Sequence, residues 1–272
     1  MINMLNKMGF TITITTVILI GVMTIAVSVA IFYSNSLIEF QSELTEFENA
    51  KNLLIYSADA LEQVSLGSGG SKYVRFNLRT ARLNLLRNFY KNISVFVNGI
   101  RVISDIPDAI EIIGGSLVSV GGFRLLSPSI NNPTEINEEY NKIIVSAGDP
   151  LVIVYENQSN GARVVLLCKR VRVNYLGVYS LLKGGKTYNY STFELSYIML
   201  IINKTGGTGN LPIVFRNVNV TTNTYIFDSI SIIINVIVGG NVVETRTLTG
   251  ESNVNGSLVI VRISYVYVDT IG

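Results

Sequence analysis

From Met8 to Ile38 the chain carries no charged side chain, and this feature constrains the fold more than any other. Its strongly apolar part, Phe10–Tyr33, is 24 residues long. As a helix that length rises about 36 Å, against a bilayer hydrocarbon core of about 30 Å. A cleaved secretory signal has an apolar core of about 7 to 15 residues before a small-x-small site. Ser28-Val29-Ala30 has that form, but the apolar run ahead of it is too long. The segment is therefore read as a membrane span.

Beyond the span, apolar residues recur three or four apart at Leu37, Phe40, Leu44, Phe47, Ala50, Leu54, Leu61 and Val64. Glu39, Glu43, Glu46, Glu48, Asp59 and Glu62 occupy the other positions, so the helix is expected to continue outward as an amphipathic stalk. No proline interrupts residues 1–66, and Gly67-Ser68-Gly69-Gly70-Ser71 is both a helix stop and a hinge. Each Leu or Phe of the stripe gains about 1.5 to 3 kcal/mol on burial. The covering partner is either a neighbouring copy or the chain's own head.

At its N-terminal end the chain resembles the archaeal type IV pilin superfamily. Lys7-Met8-Gly9 before Phe10 is similar to the end of a short basic leader, and Thr15-Thr16-Val17-Ile18-Leu19-Ile20 before a Val/Ala/Ile run is similar to crenarchaeal pilin-like starts. The position at which bacterial members usually carry glutamate is Ile14 here. The resemblance covers about a quarter of the chain. It implies processing at Lys7, Gly9 and Phe10: a prepilin peptidase cuts after Gly9 on the cytoplasmic side, and the apolar helix then joins a filament core. The implied partners are the membrane, further copies of the chain in a helical filament, the peptidase and the pilus assembly machinery.

After Leu66 the composition turns to Val, Ile, Tyr and Thr, with turns at Asn98-Gly99, Gly121-Gly122, Asn160-Gly161, Gly184-Gly185, Gly206-Gly207 and Gly239-Gly240. Hairpins are expected around Asn98-Gly99 and Gly239-Gly240-Asn241. The closing run Leu258–Val268 is expected to lie centrally in a sheet. The chain thus divides into a leader (1–9), a hydrophobic helix continuing into a stalk (10–66), a hinge (67–71) and a β-rich head (72–272). An internal boundary or long loop is expected near 127–140. The fold class is a long N-terminal transmembrane and amphipathic α-helix followed by an all-β antiparallel sandwich head.

Charge separates these parts. The leader through Gly9 carries +1, Phe10–Leu66 carries one lysine against six acids (−5), and 67–272 carries 19 basic against 13 acidic residues (+6), which sums to +2. The densest basic cluster, Lys169-Arg170 with Arg172, is expected on a strand with solvated alternate positions or against acidic stalks of neighbouring copies, and not on nucleic acid.

Materials for catalysis are poor. The chain has no histidine, which removes the usual general base and the commonest transition-metal ligand. Cys168 is the single cysteine and follows an apolar run, as a buried strand residue would. Gly185-Lys186-Thr187 lacks the first glycine of a phosphate loop, Ser180 standing in its place, and reads as a hairpin turn. Asp105, Asp108 and Glu111, and Glu135, Glu138 and Glu139, lack the ligand spacing of a calcium loop. No catalytic residue, metal site or cofactor is expected.

N-glycosylation acceptors occur at Asn92, Asn157, Asn189, Asn203, Asn219 and Asn255, all beyond the stalk, and Asn157 and Asn255 are expected in turns. The head is accordingly expected outside the cell, on a single N-terminal span. The reading is a subunit, major or minor, of a type IV pilus-like surface filament serving adhesion or surface contact. The alternative is a membrane-anchored β-domain that binds a surface-layer protein or carbohydrate without forming filaments.

Overall fold

The computed structural model describes residues 2–270 apart from Asn131 and Asn160, with side chains from Ile14 onward except those of Pro133 and Lys183. Helix α1 spans Ile2–Ser65 without a break. β-branched residues crowd its first half, yet the helix runs through them unbroken. Helix α1 ends in a corner at Gly67–Gly70, where Gly69 has φ +80°.

Fourteen strands follow among the described residues. They are β1 (Ser71–Leu86), β2 (Ile93–Val97), β3 (Ile100–Asp105), β4 (Ala109–Ile113), β5 (Arg124–Ser127), β6 (Ile144–Ser146) and β7 (Val152–Gln158). The remainder are β8 (Ala162–Cys168), β9 (Val171–Lys183), β10 (Lys186–Ile202), β11 (Gly207–Phe227), β12 (Ser231–Val238), β13 (Asn241–Thr249) and β14 (Gly256–Thr270). A ten-stranded sheet has the order β5-β7-β8-β4-β1-β11-β14-β10-β9-β6, and a four-stranded sheet the order β13-β12-β2-β3. The expected class, a long helix followed by a β head of packed sheets, is the one observed. Most neighbours are antiparallel; β10 with β14, and β6 with β9, run parallel. The closing strand β14 is central, as its apolar run requires, and is buried on both faces.

The stalk's apolar stripe is covered by the chain's own head. Phe47, Ala50, Leu54, Leu61 and Val64 form one core with Val74, Phe76 and Leu78 of β1, Val164 and Leu166 of β8, and Ile198 and Leu200 of β10. Odd-numbered residues of β10 and β14, among them Phe193, Leu195, Val259 and Val261, face the opposite way and pack under the four-stranded sheet. Strand β11 serves both cores because its register with β14 shifts between Asn217 and Asn219. The extra residue turns the side chains over: Ile213 and Phe215 face α1, whereas Tyr225 and Phe227 face the small sheet. A third core lies under β5, β7 and β8, roofed by helix α2 (Pro133–Asn141), which forms where a long loop was expected. Asn132 caps it, accepting from the Thr134 N–H at 3.3 Å, and Pro133 fits its first turn.

Carboxylates of α1 bind the head's backbone. Glu46 Oε1 accepts from the N–H groups of Arg79, Thr80 and Ala81 at 2.7, 2.9 and 2.8 Å. Consecutive N–H groups of a regular strand point to opposite edges, so three converging on one oxygen mark a bend, and here the pairing of β1 with β11 is interrupted. Glu62 Oε1 accepts from Leu151 and Val152 N–H at 2.6 and 3.2 Å, while its Oε2 accepts from Arg172 at 2.7 Å. Leu151 immediately precedes β7, Val152 begins it and Arg172 lies on β9, strands near opposite ends of the sheet order. The sheet therefore curls round α1, and Glu62 bridges its margins.

The last carbonyls of α1 are also taken up by the head. Val64 O accepts from Asn217 Nδ2 at 3.0 Å, Ser65 O from Ser264 Oγ at 2.7 Å, and Leu66 O from Arg262. Gly69 N–H donates to Asn217 O, and Asn217 N–H to Gly70 O, both at 2.9 Å. The expected hinge at 67–71 is thus a tied corner.

Replacing Glu62 by alanine strands two buried N–H donors and a guanidinium. E62A is expected to lose about 2 to 3 kcal/mol of unfolding free energy in denaturant titrations in detergent, whereas D59A, at an exposed position of the same helix, should change it by less than about 0.5 kcal/mol.

Candidate assembly and membrane segment

The described helix has two parts of opposite character. From Ile14 to Gln41 every residue is exposed, including Ile25 at 67 % and Phe32 at 76 %, and the head flanks this length only near its end, from Asn35. By length and composition this is the one helix among the described residues suited to cross a membrane. Thr24 Oγ1 donates to Ile20 O and Ser28 Oγ to Thr24 O, each at 2.8 Å, and Ser36 Oγ to Phe32 O at 3.1 Å. These side-chain hydroxyls are satisfied within the helix and cost little in an apolar surround. Gly21 sits mid-segment with open space where a Cβ would stand, so nothing within the subunit requires glycine there. The side chains of Lys7, Gly9 and Phe10 lie outside the described residues.

The junction with the head begins at Glu43, which is buried and accepts from the Leu117 N–H at 3.0 Å. The loop after β4 reaches this depth because Gly114 and Gly115 carry no side chain. A Cβ on Gly114 would press on the Phe47 ring, and one on Gly115 would overlap the Glu43 carboxylate. Lys51 adds an ion pair to Glu156 on β7 at 3.4 Å. Sequence reasoning assigned Glu43, Glu46 and Glu62 to the stalk's outer face, yet all three bind the head. A signal was present for Glu43, which precedes Phe47 by four and Ala50 by seven residues and so shares their face.

The basic cluster is a second correction. Lys169 and Arg170 are 0 % and 1 % exposed, not solvated, because they occupy the connection from β8 to β9 beneath α2. Arg170 pairs with Glu139 at 2.8 Å and donates to Pro150 O at 3.3 Å. Arg172 pairs with Glu62 of its own chain. Lys169 Nζ has no hydrogen-bond partner and lies over the rings of Tyr140 and Tyr90, at 3.9 and 5.1 Å from their centroids. Burial, then the charge of Arg170, pulls its pKa down to about 7.

The remaining candidates are used structurally. Cys168 is buried on β8, and burial raises its thiol pKa far above neutrality. Asp105 accepts from Tyr197 Oη at 2.7 Å, Asp108 from the N–H groups of Asn88 and Ile202, and Glu111 from Asn84 and Arg163. No group of three potential metal ligands occurs among the described residues. Gly184 and Gly185, both with positive φ, turn β9 into β10. Of the glycosylation acceptors, Asn92, Asn203, Asn219 and Asn255 are exposed, whereas Asn157, on β7, and Asn189, on β10, are half-buried. Asn255 Oδ1 accepts from the Asn189 N–H at 2.8 Å, which brings two acceptors together.

No family model matches the chain, and neither a curated protein nor a solved structure matches it.

Two outcomes are expected. E43A and G115A should each weaken the anchor of the 114–118 loop by about 1 to 2 kcal/mol, read as a roughly tenfold faster hydrogen exchange at the Leu117 amide. Lys169 binds its proton less tightly folded than unfolded, so its contribution to stability rises with pH above about 7 and levels off near its unfolded pKa of about 10.4. Relative to K169M, the native chain should gain about 2 to 3 kcal/mol between about pH 6 and 9 in denaturant titrations.

Proposed function

We propose that this chain is a structural subunit of an archaeal type IV pilus-like surface filament, made with its head outside the membrane and its leader removed after Gly9. The observation that carries the reading is the division of α1: an apolar length with no cover in its own subunit, continuous with a length anchored in the head. In the membrane that length is covered by lipid; in the filament it is covered by the same segment of neighbouring copies. Gly21, Ala26 and Ala30 offer small surfaces for close helix approach. The role is assembly and surface contact, with no catalysis, cofactor or nucleic-acid partner, and the prepilin peptidase and assembly machinery act on it. The exposed acceptors Asn92, Asn203, Asn219 and Asn255 suit a glycosylated outer surface.

A second reading has the same helix tethering a head that binds a surface-layer protein or carbohydrate. It draws on β9, whose outer edge is paired with β6 only at Val171–Val173 and which exposes Tyr175, Leu176, Val178, Tyr179 and Leu182 beyond that point.

Mass spectrometry of the native N-terminus, together with electron microscopy of sheared material, separates them. The filament reading expects a start at Phe10 and filaments. A start at Met1 with all protein in the membrane fraction overturns it in favour of the tether. Within the filament reading, G21L is expected to leave the subunit folded, since its surroundings are open, and to abolish filaments by holding helices apart.

A further inference from the structure

Because α1 runs unbroken from its apolar part into the head, the head's height above a bilayer follows from helix rise, given the membrane-span reading on which this inference rests. With Phe10–Tyr33 in the hydrocarbon, Ile38 stands five residues, about 7.5 Å, beyond its edge. The headgroup layer on each side of a bilayer is about 5 to 7 Å thick, so Ile38 stands at its outer boundary. At that level a crevice of about 310 Å³ opens between α1 and the bend of β1, lined by Asn35, Ile38, Glu39, Ser42, Arg79 and Thr80. It borders a larger one of about 610 Å³ along the same flank, to which Gln41, Thr45, Asn49 and Arg75 contribute. Both volumes fall within the range of small-ligand sites.

Strand β1 carries Lys72, Arg75, Arg79 and Arg82 and no acidic residue, while the α1 side of the crevices carries Glu39, Glu43 and Glu46. Arg79 and Arg82 are exposed, and neither guanidinium has a hydrogen-bond or ion-pair partner among the described residues. Arg75 donates to Asn210 Oδ1 at 2.6 Å, a neutral partner. The acids beside them are engaged: Glu46 by three backbone N–H groups and Glu43 by Leu117, which leaves Glu39 as the remaining carboxylate of the smaller crevice. Long arginine side chains reach a headgroup layer while their stems stay against apolar surface.

We infer that the β1 rim, with Arg79 and Arg82 foremost, binds the phosphate groups of anionic lipids in the leaflet that the head faces. The contact lies on one flank of α1, so it fixes the rotation and tilt of the rod in the bilayer. An upright free rod is replaced by one leaning toward β1.

The sequence has no tryptophan, so L117W in the full-length chain gives a single tryptophan, excited selectively at the red edge where tyrosine does not absorb, on the half-exposed loop held by Glu43. The chain is reconstituted into phosphatidylcholine vesicles, with or without about 30 % phosphatidylglycerol, each carrying a trace of dansyl-headgroup lipid as energy acceptor. Transfer is expected to rise in the anionic vesicles and to fall back at about 0.5 M salt. R79Q/R82Q should remove the rise, with the docked-to-free ratio dropping about fivefold per charge, while R101Q/K186Q, on β3 and at the tip of the β9–β10 hairpin, should retain it. Equal transfer in both vesicles, or a rise untouched by R79Q/R82Q, overturns the inference and leaves the span intact if carbonate washing fails to extract the chain. Extraction by carbonate from both vesicles overturns the membrane-span reading and this inference with it.

Discussion

Everything in this molecule depends on the burial of the second half of α1 inside a sheet that curls around it. The apolar stripe from Phe47 to Val64 is the axis of the largest core, and strands from both ends of the sheet order meet on it. Without the helix, the inward faces of β1, β8 and β10 would have nothing to pack against. The helix is therefore a component of the head, and the apolar segment ahead of it is the same rigid element prolonged. A flexible tether would let the two parts orient independently; a helix held at Glu43, Glu46, Glu62 and Asn217 carries orientation from one to the other.

Opposite net charges on helix and head suggest a diffuse attraction, but the contacts are specific and mostly involve backbone. The carboxylates of Glu46 and Glu62 each accept several hydrogen bonds from groups that a curled sheet leaves unpaired. Charge-assisted bonds of this kind are stronger than neutral ones, and in a partly buried setting they resist screening. Exposed pairs such as Lys204 with Asp269 contribute little by comparison. The acids of α1 are thus the device by which a sheet with a bend at Arg79–Ala81 remains satisfied.

Much of this was legible because it is local. The absence of charge from Met8 to Ile38, the three-and-four spacing after Leu37 and the glycines from Gly67 each state a backbone preference within a few residues. The same holds for the hairpins: Asn98 and Gly99 have φ of 45° and 84°, and Gly239 and Gly240 of 57° and 92°, the left-handed values a tight turn between twisted strands requires. What was illegible is non-local. Whether a glutamate on a helix meets water or an N–H group depends on a strand placed tens or hundreds of residues away, as Glu43 and Glu62 demonstrate. Lys169 and Arg170 read as surface charge because their cover, α2, lies in a segment whose two prolines and three glutamates have the composition of a loop, with the Asn132-Pro133 cap as its one helix signal. The parallel pairing of β10 with β14 follows from a long connection that carries β11, β12 and β13 between them, and no pattern within either strand encodes it.

The position of β14 bears on how the chain is made. Strand β14 is inserted between β11 and β10, so the large sheet stays split until its fifteen residues are in place. Before β14 is in place, β10 and β11 each expose an edge of unpaired amides. Completion of the sheet is then a cooperative event with high contact order. A chain cut short before β14 would keep helix α1 yet lack a closed head, which leaves proteases and chaperones a clear physical distinction between open and closed forms.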